Sequence, residues 1–232
     1  MNLEQLYNTD CIAGMSLIPS GSVDLILTDP PYGVTDCPWD SILPMDQLWA
    51  QYWRVLKPNG AAVLTCCQPF TTDLINSQRR YFRYCWYWMK NLSTGFPFAK
   101  YQPMRCVEDI AVFYRKAPTY NPQGLIALET PKKRRKSGAG EIYKSGLDQE
   151  YETKYRNYPR QVLQIPCERG LHPTQKPVAL MEYLIRTYTN PGETVLDSCM
   201  GSGTTKVAAR NTARSFIGFE ISEEYFAIAE KR

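Results

Sequence analysis

An α/β fold, a mostly parallel sheet with helices on both faces, is predicted by three observations. Short apolar runs bounded by Pro, Gly or Asp recur along the chain. Helical patterns separate most of them. Hydrophobic residues make up 44% of the 232 positions and charged residues 22%, the composition of a packed domain and not of a disordered chain. Continuous apolar runs, as opposed to strict alternation, mark strands covered on both faces.

The strand runs fall at residues 23–28 (VDLILT), 61–66 (AAVLTC), 84–89 (YCWYWM), 109–114 (DIAVFY), 194–197 (TVLD) and 215–219 (SFIGF). Helical patterns lie at 45–56, closed by the turn Lys57-Pro58-Asn59-Gly60, and at 71–80, 177–188, 204–211 and 222–231. No clear helix separates 84–89 from 109–114, so these two are expected as an antiparallel pair at one sheet edge. Residues 117–171 break the rhythm. Rich in Pro, Gly, Lys, Arg and Tyr and without a sustained period, they read as an insert within a single domain spanning 1–232.

Several classes are excluded. No run approaches the roughly 18 to 20 apolar residues that span a bilayer, and the first residues lack the basic and apolar segments of a signal peptide. A soluble, cytoplasmic protein without a membrane partner is expected. The eight cysteines include the adjacent Cys66 and Cys67 and no Cys-x-x-Cys pair, so they read as reduced thiols. The single histidine, His172, has no cysteine nearer than Cys167, which argues against a metal site and leaves acid–base work to carboxylates. The net charge of +4 permits a polyanionic partner without demanding one.

Two segments carry chemistry. The run at 194–197 ends in Asp197, the turn holding Gly201 and Gly203 opens a helix at Thr204, and Glu220 follows the next run. A doubly wound sheet holds a nucleoside-bearing cofactor in this way at the carboxyl ends of its strands. Glycine lets the backbone approach the ligand, and Glu220 can accept from two ribose hydroxyls. A phosphate-binding loop is excluded because Val207 follows Lys206, and Lys206 also stands where G-x-G-x-x-G needs its third glycine. In the second segment, Asp29-Pro30-Pro31-Tyr32 follows directly on 23–28. Proline fixes φ, leaving the Pro30 carbonyl aimed beside the Asp29 carboxylate. Two acceptors and the Tyr32 ring form a receptor for a planar ring bearing an exocyclic amine. The bland alternatives are an ordinary strand-turn-helix and a proline turn after a strand.

Asp29-Pro30-Pro31-Tyr32 joined to Asp197-x-x-x-Gly201-x-Gly203 resembles the amino-methyltransferases of DNA, which move a methyl group from S-adenosylmethionine to N6 of adenine or N4 of cytosine. The order of tetrapeptide, insert and cofactor loop resembles the beta group, and His172-Pro173-Thr174-Gln175-Lys176-Pro177 agrees with the segment that wraps the methionine part of the cofactor there. The resemblance runs from Asp10 to Glu220. It implies a circularly permuted Rossmann-like methyltransferase fold in which residues 3–7 supply the strand missing after the helix at 222–231 and deliver Asp10 and Cys11 to the site. Asp10 would then accept from the cofactor's adenine amine, the alternative being a helix N-cap for residues 12–17.

The implied cofactor set is Asp10, Cys11, Asp29, Thr174, Gln175, Lys176, Asp197, Cys199, Gly201, Ser202, Gly203, Thr204, Glu220 and Ile221, and the catalytic set is Asp29, Pro30 and Tyr32. Where the family usually has Asp-Pro-Phe this chain has Asp197-Ser198-Cys199, so an aromatic contact to the cofactor is lost or supplied elsewhere. The implied activity is methylation of adenine N6 in a specific sequence of double-stranded DNA, by base flipping and direct in-line transfer. Asp29 favours adenine, because cytosine-N4 enzymes more often carry Ser at that position. The alternatives are cytosine N4, RNA or amide methylation, and a DNA-binding module without catalysis. The insert corresponds to the target-recognition region, and Lys132, Lys133, Arg134, Arg135 and Lys136 are candidates for phosphate contacts, or else a solvated loop. The recognition sequence, a restriction partner and the choice between monomer and homodimer are not legible.

Overall fold

In the computed structural model, which describes residues 4–34, 40–135, 150–168, 170 and 174–232, the elements follow in the order β1 (Glu4–Asn8), α1 (Cys11–Met15), β2 (Val23–Thr28), α2 (Met45–Val55), β3 (Leu56–Cys66), α3 (Phe70–Ser77), β4 (Phe82–Thr94), β5 (Arg105–Phe113), β6 (Ile126–Arg135), β7 (Glu150–Arg156), β8 (Val162–Gln164), α4 (Val178–Tyr188), β9 (Thr194–Asp197), α5 (Thr204–Asn211), β10 (Ser215–Glu220) and α6 (Glu223–Lys231). They form two compact units, of which the smaller is Pro122–Arg160.

The larger unit holds one eight-stranded sheet in the order β1-β10-β9-β2-β3-β5-β4-β8. Pairing is parallel from β1 to β3, antiparallel for β3 with β5 and β5 with β4, and parallel again for β4 with β8. Side chains alternate along a strand, and both faces of the sheet are buried. β2 places Ile26 in one apolar layer with Met15, Leu48, Trp49, Tyr52 and Phe70, and Leu25 and Leu27 in the other with Leu180, Leu184, Tyr188, Ala208 and Ala229. One layer is thus covered by α1, α2 and α3, the other by α4, α5 and α6. No helix among the described residues is long and apolar enough to cross a membrane.

The permuted order is realised: β1 pairs parallel to β10 from Glu4↔Phe216 to Asn8↔Glu220, while Leu3 lies outside the described residues. Some expectations are corrected. Lys57-Pro58-Asn59-Gly60 is no free turn between helix and strand, because Leu56 already pairs with Val23 and the ladder resumes at Leu25↔Ala61, which makes these residues a bulge within β3. The antiparallel pair β4–β5 does not form the outer edge, since β8, from the expected insert, pairs outside β4. The first helix begins at Cys11 and not at residue 12, and Asp10 Oδ1 caps it by accepting from Ala13 N at 2.9 Å.

The smaller unit is a two-stranded antiparallel sheet of β6 and β7. Residues 132–135 therefore lie in a strand and not in a loop, with Lys132 opposite Thr153 and Lys133 opposite Glu152. The strand was illegible because most of β6 is exposed on both faces, which removes the apolar alternation that marks a half-buried strand. Lys136 and the side chains of Arg134 and Arg135 lie outside the described residues.

Candidate active site

The carboxyl ends of β1, β2, β9 and β10 converge on a cavity of about 660 Å³, the size of a small-molecule site. It is lined by Asp10 and Cys11 after β1, by Asp29, Pro30 and Tyr32 after β2, by Thr174, Gln175 and Lys176 before α4, by Asp197, Cys199, Gly201, Ser202 and Thr204 between β9 and α5, and by Glu220 and Ile221 at the end of β10. Gly203 is the exception. It is absent from the lining of the cavity, takes a φ of +80°, and a Cβ there would stand 3.0 Å from the Ala229 Cβ. His172 and Pro173 lie outside the described residues.

On the β9–β10 side the acids are braced by backbone. Glu220 Oε2 accepts from Gly201 N and Oε1 from Ser222 N, both at 2.8 Å, so the carboxylate is fixed while keeping lone pairs for a ligand. Asp197 Oδ1 accepts from Cys199 N at 3.0 Å. Burial pushes the Asp197 carboxyl up to about 6, against the lowering effect of hydrogen bonds from Thr205, Thr28 and Cys199. The Ser198 hydroxyl lies 2.6 Å from Tyr52 Oη and 3.1 Å from Thr28 Oγ1. Hydrogen bonding with Cys11, followed by burial, holds the Cys199 thiol well above its usual range, so a neutral thiol faces the cavity where an aromatic ring is common.

The β2 side is built differently. Asp40 clamps the turn: its Oδ1 accepts from Tyr32 N (2.7 Å) and Gly33 N (2.8 Å), and its Oδ2 from Val34 N (2.9 Å). Asp29 Oδ1 accepts from the Tyr32 and Thr65 hydroxyls. Asp29 Oδ2 accepts from Lys176 Nζ at 2.7 Å. Lys176, 6% exposed, also lies 3.4 Å from Glu108 Oε2, and Lys90 Nζ lies 2.9 Å from Glu108 Oε1. The charges therefore alternate along Lys90, Glu108, Lys176 and Asp29. Burial alone would lower the Lys176 ammonium, but the fields of Asp29 and Glu108 outweigh it and hold the group above its ordinary value, hence charged.

Lys176, expected to hold the cofactor, reaches the carboxylate of Asp29, and the ring of Tyr32 packs on Phe70 at 5.3 Å between centroids. Its hydroxyl stays protonated, because burial and then Asp29 raise it well above the usual phenol range. Sequence reasoning missed Asp40, Thr65, Phe70, Lys90 and Glu108. The available signal was a pair of opposite charges, Lys90 and Glu108, set within or beside apolar runs on strands that pair at Trp88↔Glu108.

The comparisons agree with this geometry. The family model for DNA methylases of the N6/N4 type matches residues 23–231. The chain belongs to the DNA methylase family. It is 33% identical to the DNA adenine methyltransferase YhdJ of Escherichia coli (strain K12), over 98% of this chain and 81% of that one. The structure of an M1.HpyAVI–SAM complex matches with a TM-score of 0.67 at 27% identity, covering 99% of both chains. PvuII DNA methyltransferase (cytosine-N4-specific) matches with a TM-score of 0.70 at 18% identity, covering 98% of this chain and 85% of that one, and shares the fold. The methylase thus acts on an exocyclic amine of DNA, N6 of adenine or N4 of cytosine. Among the described residues of the methylase no group of three His, Cys, Asp or Glu could hold a metal ion.

Proposed function

We propose that this methylase transfers a methyl group from S-adenosylmethionine to N6 of adenine in a specific sequence of double-stranded DNA. The observation that carries the reading is Asp29, set beside Pro30 in one cavity with the braced Glu220. The cofactor fits that cavity: Gly201 has a φ of +51°, so no side chain fills the turn, and Glu220 and Asp10 supply acceptors for hydroxyl and amine groups. Glu220 would hold the ribose, Asp10 and the Cys11 backbone the adenine, and Thr174, Gln175, Ser202, Thr204 and Ile221 the remainder. When bound, S-adenosylmethionine supplies a sulfonium methyl.

The protein's part is positioning. A carboxylate offers about four lone-pair sites, and Tyr32, Thr65 and Lys176 occupy three on Asp29. The fourth, on Oδ2, accepts one hydrogen of the target amine, and the Pro30 carbonyl accepts the other. This pulls the amine lone pair out of the ring and aims it for direct in-line transfer. Lys176 stands against Asp29 Oδ2 as its counter-ion. The target atom is shielded in a stacked duplex, so the base flips out at a cost of a few kcal/mol. Lys132 and Lys133, with Arg134, Arg135 and Lys136 in the same run, contact phosphates.

Asp29 at the first position of the tetrapeptide supports adenine, and the adenine-specific relative at 33% identity agrees. Cytosine N4 is the second reading, favoured by the fold shared with a cytosine-N4 enzyme. Digesting DNA methylated by the protein to nucleosides for mass spectrometry decides between them. N6-methyladenine is expected, and N4-methylcytosine as the sole product overturns the adenine reading.

A further inference from the structure

The wall of the cavity formed by β4 and β5 does not stop at its mouth. Trp88, Lys90, Leu92 and Thr94 line the cavity at alternate positions along β4, and Arg105, Val107 and Glu108 line it along β5. Beyond Thr94 the hairpin projects as residues 95–104, and its tip is a built turn. Gly95 takes a φ of +92°, Phe96–Phe98 form a 3-10 turn, and Phe98, Ala99 and Tyr101 donate backbone N–H groups to Gly95, Phe96 and Phe98 at 2.9–3.0 Å. These amides are paired, yet the rings the turn displays face solvent: Phe96 is 77% exposed, Phe98 56% and Tyr101 86%. Single exposed apolar residues need no account, but three aromatic rings on one ordered tip form a patch of the kind that meets a partner.

The partner's chemistry follows from charge and place. From residue 90 to residue 107 the chain carries Lys90, Lys100 and Arg105 and no acid. Two copies of such a tip would bring like charges together, whereas a polyanion with stackable rings satisfies both features. Aromatic and apolar side chains inserted between base steps are a known way to unstack a duplex, and rings stack on bases of any sequence. We propose that the β4–β5 tip is a wedge that enters duplex DNA at the target pair, its rings filling the gap left by the displaced base while Lys100 and Arg105 meet flanking phosphates. The inference rests on the DNA-methylating reading above and deepens it, assigning to the tip the holding open of the duplex next to Asp29.

The test uses the whole chain and two duplexes carrying the sequence found methylated in cells that express it, one fully paired and one with an abasic site opposite the target base. The variants are Phe96→Ser/Tyr101→Ser together and the conservative Phe96→Trp. The double variant is expected to bind S-adenosylmethionine as the parent does and to lose about tenfold or more in kcat/KM on the paired duplex, with the loss shrinking to about twofold where the base is already unpaired. Phe96→Trp should stay near the parent. Equal losses on both duplexes, or none on either, overturn the wedge and leave the methylase reading standing. A parental dimer that the double variant dissociates in sedimentation likewise overturns it by making the tip a self-association surface. A parent that methylates neither duplex defeats the DNA reading, and the wedge with it.

Discussion

On the β9–β10 side of the cavity, backbone amides brace the acids within one strand-turn-helix-strand unit, Gly201 to Glu220 and Cys199 to Asp197. Thr28, Tyr52 and Cys11 add side-chain contacts to Asp197, Ser198 and Cys199. On the β2 side, Asp29 is held by Thr65 at the end of β3 and by Lys176, which is 147 residues away in sequence and is itself flanked by Glu108 and Lys90. A cradle of amides depends on backbone conformation and tolerates changes in its neighbours. A buried chain of alternating charges depends on every member, because an ion left without its partner is penalised more than the pair gains. The protein thus braces one wall of the cavity largely through nearby backbone and holds the Asp29 carboxylate through residues far apart in sequence.

The contrast can be broken by substitution. Asp29→Ala carries the largest expected effect, a loss of about a hundredfold to a thousandfold in kcat, with the circular dichroism of the folded chain retained. Substantial turnover by the folded variant would remove Asp29 from the chemistry. Glu220→Ala comes next and should act on the other half alone: the dissociation constant for S-adenosylmethionine in calorimetry rises by the equivalent of about 1.5 to 3 kcal/mol. If kcat fell instead, with affinity unchanged, the two halves would not be separable. Tyr32→Phe is the smallest. It keeps the ring on Phe70 and removes one of three donors to Asp29, so a drop in kcat of about tenfold or less is expected. A loss as deep as that of Asp29→Ala would place the hydroxyl at the centre of the reaction.

The same contrast explains what could be read in advance. Asp197, Gly201 and Glu220 announce themselves because their spacing is a local property of the chain, and the strands at 23–28 and 194–197 emerge with those bounds because buried strands are continuous apolar runs. Asp10 was harder, since a carboxylate after a strand can cap a helix and face a ligand at once; here one oxygen does the first while the residue lines the cavity. Thr65 was illegible because nothing near it in sequence states that β3 passes beside Asp29, whereas Lys90 and Glu108 left the signal of opposite charges beside two apolar runs that pair. Asp40 was hidden for a different reason, its three acceptor contacts reaching backbone amides, which carry no residue signature. The tip at 95–104 escaped notice because rings in a turn have no periodicity.

The pairing of β1 with β10 has a consequence for the order in which the molecule can be made. Glu4 leaves the ribosome long before Phe216, yet they are neighbours in one ladder. Contacts that bridge such a span wait for the late partner, since domains form as the chain emerges and distant strand pairing is slow. A nascent chain halted before Ser215 has neither Glu220 nor a strand for Asn8 to lie against, so Asp10 and Cys11 have no opposite wall. Asp29 and its β3 partner Thr65 are by then long synthesised. Synthesis itself thereby becomes a checkpoint: Asp29 and its partner strand are made well before the strand that completes the wall bearing Glu220.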